Sequence, residues 1–258
     1  MNDVSVIIVT YNSERSILTC LMTLRQEGMV DIIVVDNNSH DTTRTILQGF
    51  HGITVLLNDV NEGYTTAVNQ GIRHARGRLL LVLNPDVEIS ATTIHRLVTE
   101  MQTNPMVGII APKLLYPDGR LQYSCRRFPT PITFLLRGFG MTEDRSWMPR
   151  ILHRHLMTDY DHREPRDVEW VLGACMLVRR ELVDAIGMLD EKYFLYYSDI
   201  DFCLRTVRSG WKVRYEPRIH ATHQYGRASA KGGLMNPITR SHIKSAVRFF
   251  WRRFTGAL

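Results

Sequence analysis

Val4-Ser5-Val6-Ile7-Ile8-Val9-Thr10-Tyr11-Asn12 is a nearly continuous β-branched run that stops on three polar residues. A strand with one wet face alternates apolar and polar side chains. This one does not, so it reads as a strand covered on both faces, as parallel strands are. Asp31–Asp36 (Asp-Ile-Ile-Val-Val-Asp) repeats the pattern, and Ile53–Leu57, Leu79–Leu83 and Val107–Ala111 follow it. Helical periods lie between. Ile17, Leu18, Leu21 and Leu24 share one face behind Ser13, a capping residue; Asp41 heads a short helix to Leu47; Thr65–Ala75 runs towards Gly77; and Ala91–Met101 is amphipathic. Strands alternating with helices predict an α/β fold with a mostly parallel central sheet and flanking helices. Ligands of such sheets bind beyond the carboxyl ends of the strands. The polar clusters sit there: Thr10-Tyr11-Asn12, Asp36-Asn37-Asn38-Ser39, Asn58–Gly63 and Asn84-Pro85-Asp86.

Working outward, the period is lost from Tyr116 to about Arg166, where five prolines and many arginines predict long loops with short helices. Order returns at Val168–Arg179, read as two strands about Gly173. A helix follows to Ile186, closed by Gly187; another, Ile200–Ser209, is closed by Gly210; then comes a strand, Lys212–Glu216. The tail Ile238–Phe254 is helical by spacing, with Phe250, Trp251 and Phe254 interleaved with Arg248, Arg252 and Arg253. The chain thus divides into residues 1–112, 113–230 and 231–258. The tail reads either as a membrane-surface helix or as a packing helix or homodimer contact.

The 258 residues are 44% apolar and 22% charged, which excludes a mainly disordered or fibrous chain. Apolar runs such as Leu79–Leu83 stop far short of the roughly 18–20 residues that cross a bilayer. The start, Met1-Asn2-Asp3, shows no signal-peptide pattern. The four cysteines are far apart and make no C-x-x-C pair, favouring a reducing, cytoplasmic compartment. A net charge of +6 favours anionic partners. No nucleic-acid motif accompanies it, so nucleic acid is not among the expected partners.

Neither G-x-G-x-x-G nor G-x-x-x-x-G-K-[ST] occurs, so a bound nucleotide must be held by side chains and a metal. Asp36 ends its strand either as an acceptor for the N–H of a pyrimidine base or as an ordinary turn residue. Asp86 is either a ligand for Mg²⁺ or Mn²⁺, completed by substrate phosphates, or the end of an Asn-Pro-Asp turn. Asp190–Asp201 delivers Asp199 and Asp201 to a helix start behind an aromatic run that includes Tyr197. These carboxylates are either caps or, set in such a pocket, a tuned general base. His220 and His223 follow the Lys212–Glu216 strand as surface residues or as ligands.

Seven of these pieces, in order over residues 3–230, resemble the family 2 inverting glycosyltransferases of the GT-A fold. The likeness is strongest to the rhamnosyltransferase-like branch that builds O-antigen and cell-wall polysaccharides. They are residues 4–12, 32–39, Asn61-Glu62-Gly63-Tyr64 with Ala67, Asn69 and Gly71, 80–86, 173–180, 189–205, and His223 ahead of Ser229. The resemblance implies that Thr10, Tyr11, Asn12, Asp36, Asn61 and Asn84 line a nucleotide pocket. Asp86 would be the last carboxylate of a D-x-D metal position, with His223 as a second ligand of Mg²⁺ or Mn²⁺. Asp199 would be the catalytic base.

The implied substrates are a dTDP- or UDP-sugar and a glycan acceptor, often lipid-linked. Tyr197, Asp201, Arg126 and Arg127 are candidates to contact the acceptor or its phosphates. Two departures stand out. Asn84 replaces the first D-x-D carboxylate, and Ser198 replaces the acidic residue that often precedes the base, which predicts a less elevated base pKa. The chemistry is coherent: a cation at Asp86 neutralises the leaving diphosphate, while a carboxylate on the other side of the sugar takes the proton of the acceptor hydroxyl. A nucleotidyltransferase would need a Gly-rich basic loop after the first strand, which Thr10–Glu14 does not supply. The remaining alternative is a non-catalytic glycan- or nucleic-acid-binding protein.

Overall fold

A computed structural model describes residues 3–24, 30–139, 141, 147–224 and 236–256. Ser229 and the expected boundary at 230/231 lie outside them. The first half contains β1 (Val4–Thr10), α1 (Ile17–Leu24), β2 (Asp31–Asp36), α2 (Thr43–Gln48), β3 (Thr54–Leu57), α3 (Tyr64–His74), β4 (Leu79–Leu83), β5 (Val87–Glu88), α4 (Ala91–Gln102) and β6 (Val107–Leu115). The alternation expected over residues 1–112 is therefore present. The expected boundary at 112 falls inside β6, which runs on to Leu115.

The irregular middle folds as two short strands, β7 (Leu121–Gln122) and β8 (Cys125–Arg126), and two short helices, α5 (Pro131–Gly138) and α6 (Arg150–Leu156). Then come β9 (Arg166–Val168), β10 (Trp170–Val171), β11 (Cys175–Arg179), α7 (Arg180–Ile186), α8 (Ser198–Arg208), β12 (Lys212–His223) and α9 (Pro237–Thr255). Strand β12 is longer than the expected Lys212–Glu216, because Pro217 sits at a register shift between Glu216 and His220 where a missing N–H is tolerated. His220 and His223 are therefore strand residues.

The main sheet runs β3-β2-β1-β4-β11-β6-β12-β5. β3, β2, β1 and β4 are parallel, β11 is antiparallel to both its neighbours, and β12 is parallel to β6. All seven residues of β1 are buried, as its unbroken apolar run requires. Ile7, Val9, Ile33, Val35, Leu80 and Val82 face one core, which α3, α8 and α9 cover. Val6, Ile8, Ile32, Val34, Leu81 and Leu83 face the other, which α1 and α4 cover. Period-2 side chains supply both faces, so the residues of β1 and β4 all find a core.

Two registers position the site. Antiparallel β11 begins where parallel β4 ends, with Cys175 opposite Leu83, so Gly173 lies beside Asn84. There the Asn84 N–H donates to the Ala174 carbonyl (2.8 Å). β12 ends against β5, with His223 opposite Val87, so a histidine from late in the chain arrives next to Asp86. Among the described residues no helix is long and apolar enough to cross a membrane.

Candidate active site

The carboxyl ends of β1 and β4 open onto a cleft of about 750 Å³, within the range of about 300–1,000 Å³ common for ligand pockets. Tyr11, Asn12, Asn84 and Asp86 line it, as expected. So do Glu14, Arg15, His40, Asp41 and Tyr64, which the sequence reading had not assigned to it.

Thr10, Asp36 and Asn61 are not on that lining, and each is engaged by the protein. Asp36 has no exposed surface. Its Oδ1 accepts from Thr10 Oγ1 (3.0 Å), and its Oδ2 accepts from the Ser39 N–H (3.1 Å) and from Arg44 Nε (2.6 Å). Burial works to raise its pKa, but the donors of Ser39, Arg44 and Thr10 outweigh it and hold the carboxyl below the ordinary value. Asn61 Oδ1 accepts from Asn37 Nδ2 (2.8 Å) and the Gly63 N–H (3.0 Å). Asp36, expected either to accept from a base N–H or to serve as a turn residue, has both of its oxygens engaged by these protein donors. In this structure Thr10, Asp36 and Asn61 organise the loops on which Tyr11 and Asn12 stand.

Asp199 is in the first turn of α8 and keeps a little exposed surface. Its Oδ2 accepts from the Gly173 N–H (3.0 Å) and its Oδ1 from its neighbour's N–H at Ile200 (2.9 Å). Burial raises its pKa above the ordinary carboxylate value, opposed by these N–H groups and by the charge of Arg126. The elevation survives the replacement of an acidic neighbour by buried Ser198, because lost hydration, not a neighbouring negative charge, is its main cause. Gly173 is needed for this approach: a Cβ there would stand 3.1 Å from the Asp199 Cβ.

Tyr64 connects the two ends of the site. Its hydroxyl lies 3.4 Å from Asn84 Oδ1 and 3.3 Å from the Gly173 carbonyl, both acceptors. Burial raises its pKa, and the negative charges of Asp199 and Asp86 add to the rise. Gly63, at φ +87°, lets Phe194 close over this turn; a Cβ there would fall 2.5 Å from the Phe194 ring.

Asp86 and His223 make a second polar pair. Gln122 Nε2 donates to the His223 carbonyl (2.8 Å), which can only accept. That fixes the amide and turns Gln122 Oε1 towards His223 Nδ1 (2.9 Å), so Nδ1 carries the hydrogen. In the neutral ring Nε2 then presents a lone pair, 3.3 Å from Asp86 Oδ1. Asp86 Oδ1 is buried and makes no hydrogen bond among the described residues. Two acceptors facing each other are held by a proton or by a shared cation. A hard oxygen and an imidazole nitrogen, with the other ring nitrogen tied back by an amide, form a donor set that fits Mg²⁺ or Mn²⁺. Among the described residues no third His, Cys, Asp or Glu joins them.

Residues 5–187 match the family described as glycosyl transferase family 2. The chain belongs to that family. Curated relatives agree. The chain is 30% identical to an N-acetylglucosaminyl-diphospho-decaprenol L-rhamnosyltransferase of Mycobacterium tuberculosis, over 99% of this chain and 87% of the relative. It is 26% identical to the rhamnosyltransferase WbbL of Escherichia coli, over 97% and 93%. Among solved structures, Staphylococcus aureus TarS 1–349 in complex with UDP-GlcNAc superposes with TM-score 0.61 at 19% identity, over 96% of this chain and 66% of that one. The mannosyltransferase PcManGT of Pyrobaculum calidifontis, in complex with GDP-Man and Mn²⁺, superposes with TM-score 0.58 at 16% identity, over 99% and 76%. The fold is GT-A, and the chain is a glycosyltransferase of the rhamnosyltransferase branch.

In this family 2 chain the four residues expected to contact the acceptor or its phosphates, Asp201, Tyr197, Arg126 and Arg127, are all engaged by the protein. Asp201 has no exposed surface: its carboxylate accepts from Tyr193 Oη (3.2 Å), Arg205 Nε (3.0 Å) and Arg252 Nη1 (2.8 Å). A carboxylate so enclosed binds helices together and does not meet an acceptor. Tyr197 is buried too. It takes the left-handed conformation at φ 72° to start α8, and its ring packs against Phe134, His242 and Phe249. Arg126 is almost buried beneath the site, its guanidinium 5.4 Å from the Trp170 ring, and acts on Asp199 through its field. Arg127 serves through its carbonyl, which accepts from Trp170 Nε1 (2.9 Å) and pairs with His155 Nδ1 (2.8 Å). Neither arginine lines the cleft. Besides Glu14, Arg15, His40 and Asp41, the site residues that sequence reasoning missed are Gln122 and Tyr64. Tyr64 stood in a quoted motif; Gln122 carried no signal, because its partner is 101 residues away.

Proposed function

We propose that this chain transfers L-rhamnose from a dTDP- or UDP-linked donor to a hydroxyl of a lipid-linked glycan acceptor, with inversion at the anomeric carbon, in cell-surface polysaccharide synthesis. The observation that carries this reading is Asp199: a carboxylate whose pKa burial raises, held by the N–H of Gly173, whose carbonyl lies 3.3 Å from the Tyr64 hydroxyl that also approaches Asn84. The names of the relatives support the sugar and the acceptor class.

The donor nucleotide lies in the cleft against Tyr11, Asn12 and Asn84. Asp86 and His223 would hold a divalent cation there, and such a cation would supply positive charge to a departing diphosphate. Asp199 accepts the proton of the incoming hydroxyl as the new glycosidic bond forms. The Gly173 and Ile200 N–H groups keep its oxygens aimed while it does so. Attack opposite the diphosphate passes through an oxocarbenium-like state and inverts the centre. Raising the base pKa by burial brings it nearer the working pH, where proton acceptance is most effective. Tyr64, kept protonated by its surroundings, donates to Asn84 or Gly173 and keeps the two halves of the site in register.

In this reading the tail helix α9 rests on a membrane surface, where a lipid-linked acceptor resides. Its outer stripe exposes Val247, Trp251 (60%) and Phe254 (72%). The test is incubation of the purified protein with dTDP-rhamnose, an N-acetylglucosaminyl-diphospho-polyprenol acceptor and Mn²⁺, reading the product by mass spectrometry. A rhamnosylated lipid, lost in Asp199→Asn with the fold retained, is expected. No transfer from any nucleotide sugar overturns the reading.

A further inference from the structure

The arginines of α9 have two fates. Arg248 and Arg252 turn inward, to Asp190 (2.8 Å from Arg248) and to Asp201, and bolt the helix to the core beside buried Ala246 and Phe249. α9 is therefore a packed element, and its outer apolar stripe is left over after that packing is satisfied. In its first turns Arg240 and Lys244 turn elsewhere. With Lys192, Phe194, Ser241 and Ser245 they line a second cavity of about 430 Å³. Among the described residues none of Lys192, Arg240 and Lys244 pairs its side chain with a carboxylate. Three cations about one hollow repel each other without an anion to share.

The surroundings specify the anion. On one side is Phe194, whose carbonyl accepts from the Tyr64 N–H (2.7 Å) and whose ring closes over Gly63; the same segment leads in five residues to Asp199. On the other side the exposed stripe Ile243, Val247, Trp251 and Phe254 runs away along α9. A ligand with its sugar at Asp199, its charge at the cations and its hydrocarbon on the stripe is a polyprenyl-diphosphate-linked sugar.

We propose that the hollow between residues 192–194 and the first turns of α9 binds the diphosphate of a lipid-linked acceptor, with the outer stripe of α9 receiving the first isoprene units. This rests on the lipid-linked acceptor proposed above. It moves the diphosphate contact from Arg126 and Arg127, neither of which lines either cavity, to Lys192, Arg240 and Lys244.

Farnesyl diphosphate, inorganic diphosphate and vesicles of phosphatidylglycerol are the probes, each titrated calorimetrically into the full chain. Farnesyl diphosphate is expected to bind without displacement by UDP and Mn²⁺. The triple variant Lys192→Gln, Arg240→Gln, Lys244→Gln should lose about tenfold or more of that affinity while keeping its melting temperature and its UDP affinity. Val247→Ser with Trp251→Ser should weaken farnesyl diphosphate by about fivefold and leave inorganic diphosphate unchanged.

Equal affinity of parent and triple variant overturns the proposal, as does displacement of the probe by UDP. Vesicles that bind through the same three cations as tightly as the probe mean a general anionic surface, and also overturn it. So does light scattering that shows the stripe variants only turning a dimer into a monomer. A failed reading of the reaction shows separately, as no sugar transfer by the parent chain.

Discussion

The first turn of α8 carries two carboxylates two residues apart, and the regions they enter have opposite physics. Beside Gly173 Asp199 meets backbone N–H groups and, among the described residues, no salt-bridged cation, so burial dominates and its pKa rises. On the core side Asp201, with no exposed surface, meets two arginines and a phenol. One carboxylate is left under-compensated, which suits a proton acceptor; the other is fully compensated, which suits a fastener. A carboxylate's role is set by what surrounds it, and adjacent positions on one helix can be set oppositely.

Several changes would break or sharpen this contrast. The largest effect expected is on turnover. Asp199→Asn should lower sugar transfer by roughly 10²–10⁴-fold, the usual worth of a general base. Its melting temperature should not fall, since the native site already disfavours the charge. A variant that loses activity by unfolding would erase the distinction.

Asp201→Asn should do the reverse. Removing one member of a buried ion cluster leaves Arg205 without a carboxylate and Arg252 with Asp190 alone, and costs roughly 3–5 kcal/mol in denaturant unfolding. Combining it with Arg252→Met should recover part of the loss. If Asp201→Asn proves as stable as the parent, the fastener role is wrong.

Next comes Gln122→Met, which frees the His223 ring to turn or change tautomer. Mn²⁺ affinity, read by electron paramagnetic resonance in the presence of UDP, should fall about 10–100-fold. UDP affinity without metal should hold. A metal affinity unchanged by this substitution would separate Gln122 from the Asp86–His223 pair.

The pH profile gives smaller effects. Asp199 must be ionised to accept a proton, so kcat/KM should be present at high pH and lost as pH falls through its pKa. Because that pKa is raised, the acidic limb should lie above the ordinary 3.8. Asp190 has the opposite sign. Burial works to raise its pKa, but Arg248 and Arg252 outweigh it and hold it below 3.8. Its contribution to stability is present above 3.8 and is lost as pH falls through the lowered value. The unfolding midpoint should track that loss in the parent and not in Asp190→Asn.

Much of this molecule was legible in the chain. The buried strands at 4–10, 31–36 and 79–83 were readable because residues buried on both faces leave no polar alternation. Gly187 and Gly210 end their helices at φ 78° and 83°, as their positions implied. The polar strand ends located the cleft, and Asp86, Asn84, Tyr11 and Asn12 line it. The excess of arginine was harder to read. Arg179 donates to the carbonyls of Val107 and Met101, and Arg180 to those of Ala75 and Gly77, so much positive charge is spent inside the protein.

Local pattern determined the strands, the helices and the sheet ends that bear chemistry, because burial on one or two faces is written in residue spacing. Only the tertiary structure decided which polar side chains remain available. Antiparallel β11 brings Gly173 to Asp199, the end of β12 carries His223 to Asp86, Gln122 fixes the ring, and Arg252 silences Asp201. Each of these contacts joins residues far apart in the chain. The energy of a buried charge depends on such partners, and no spacing along the sequence records them.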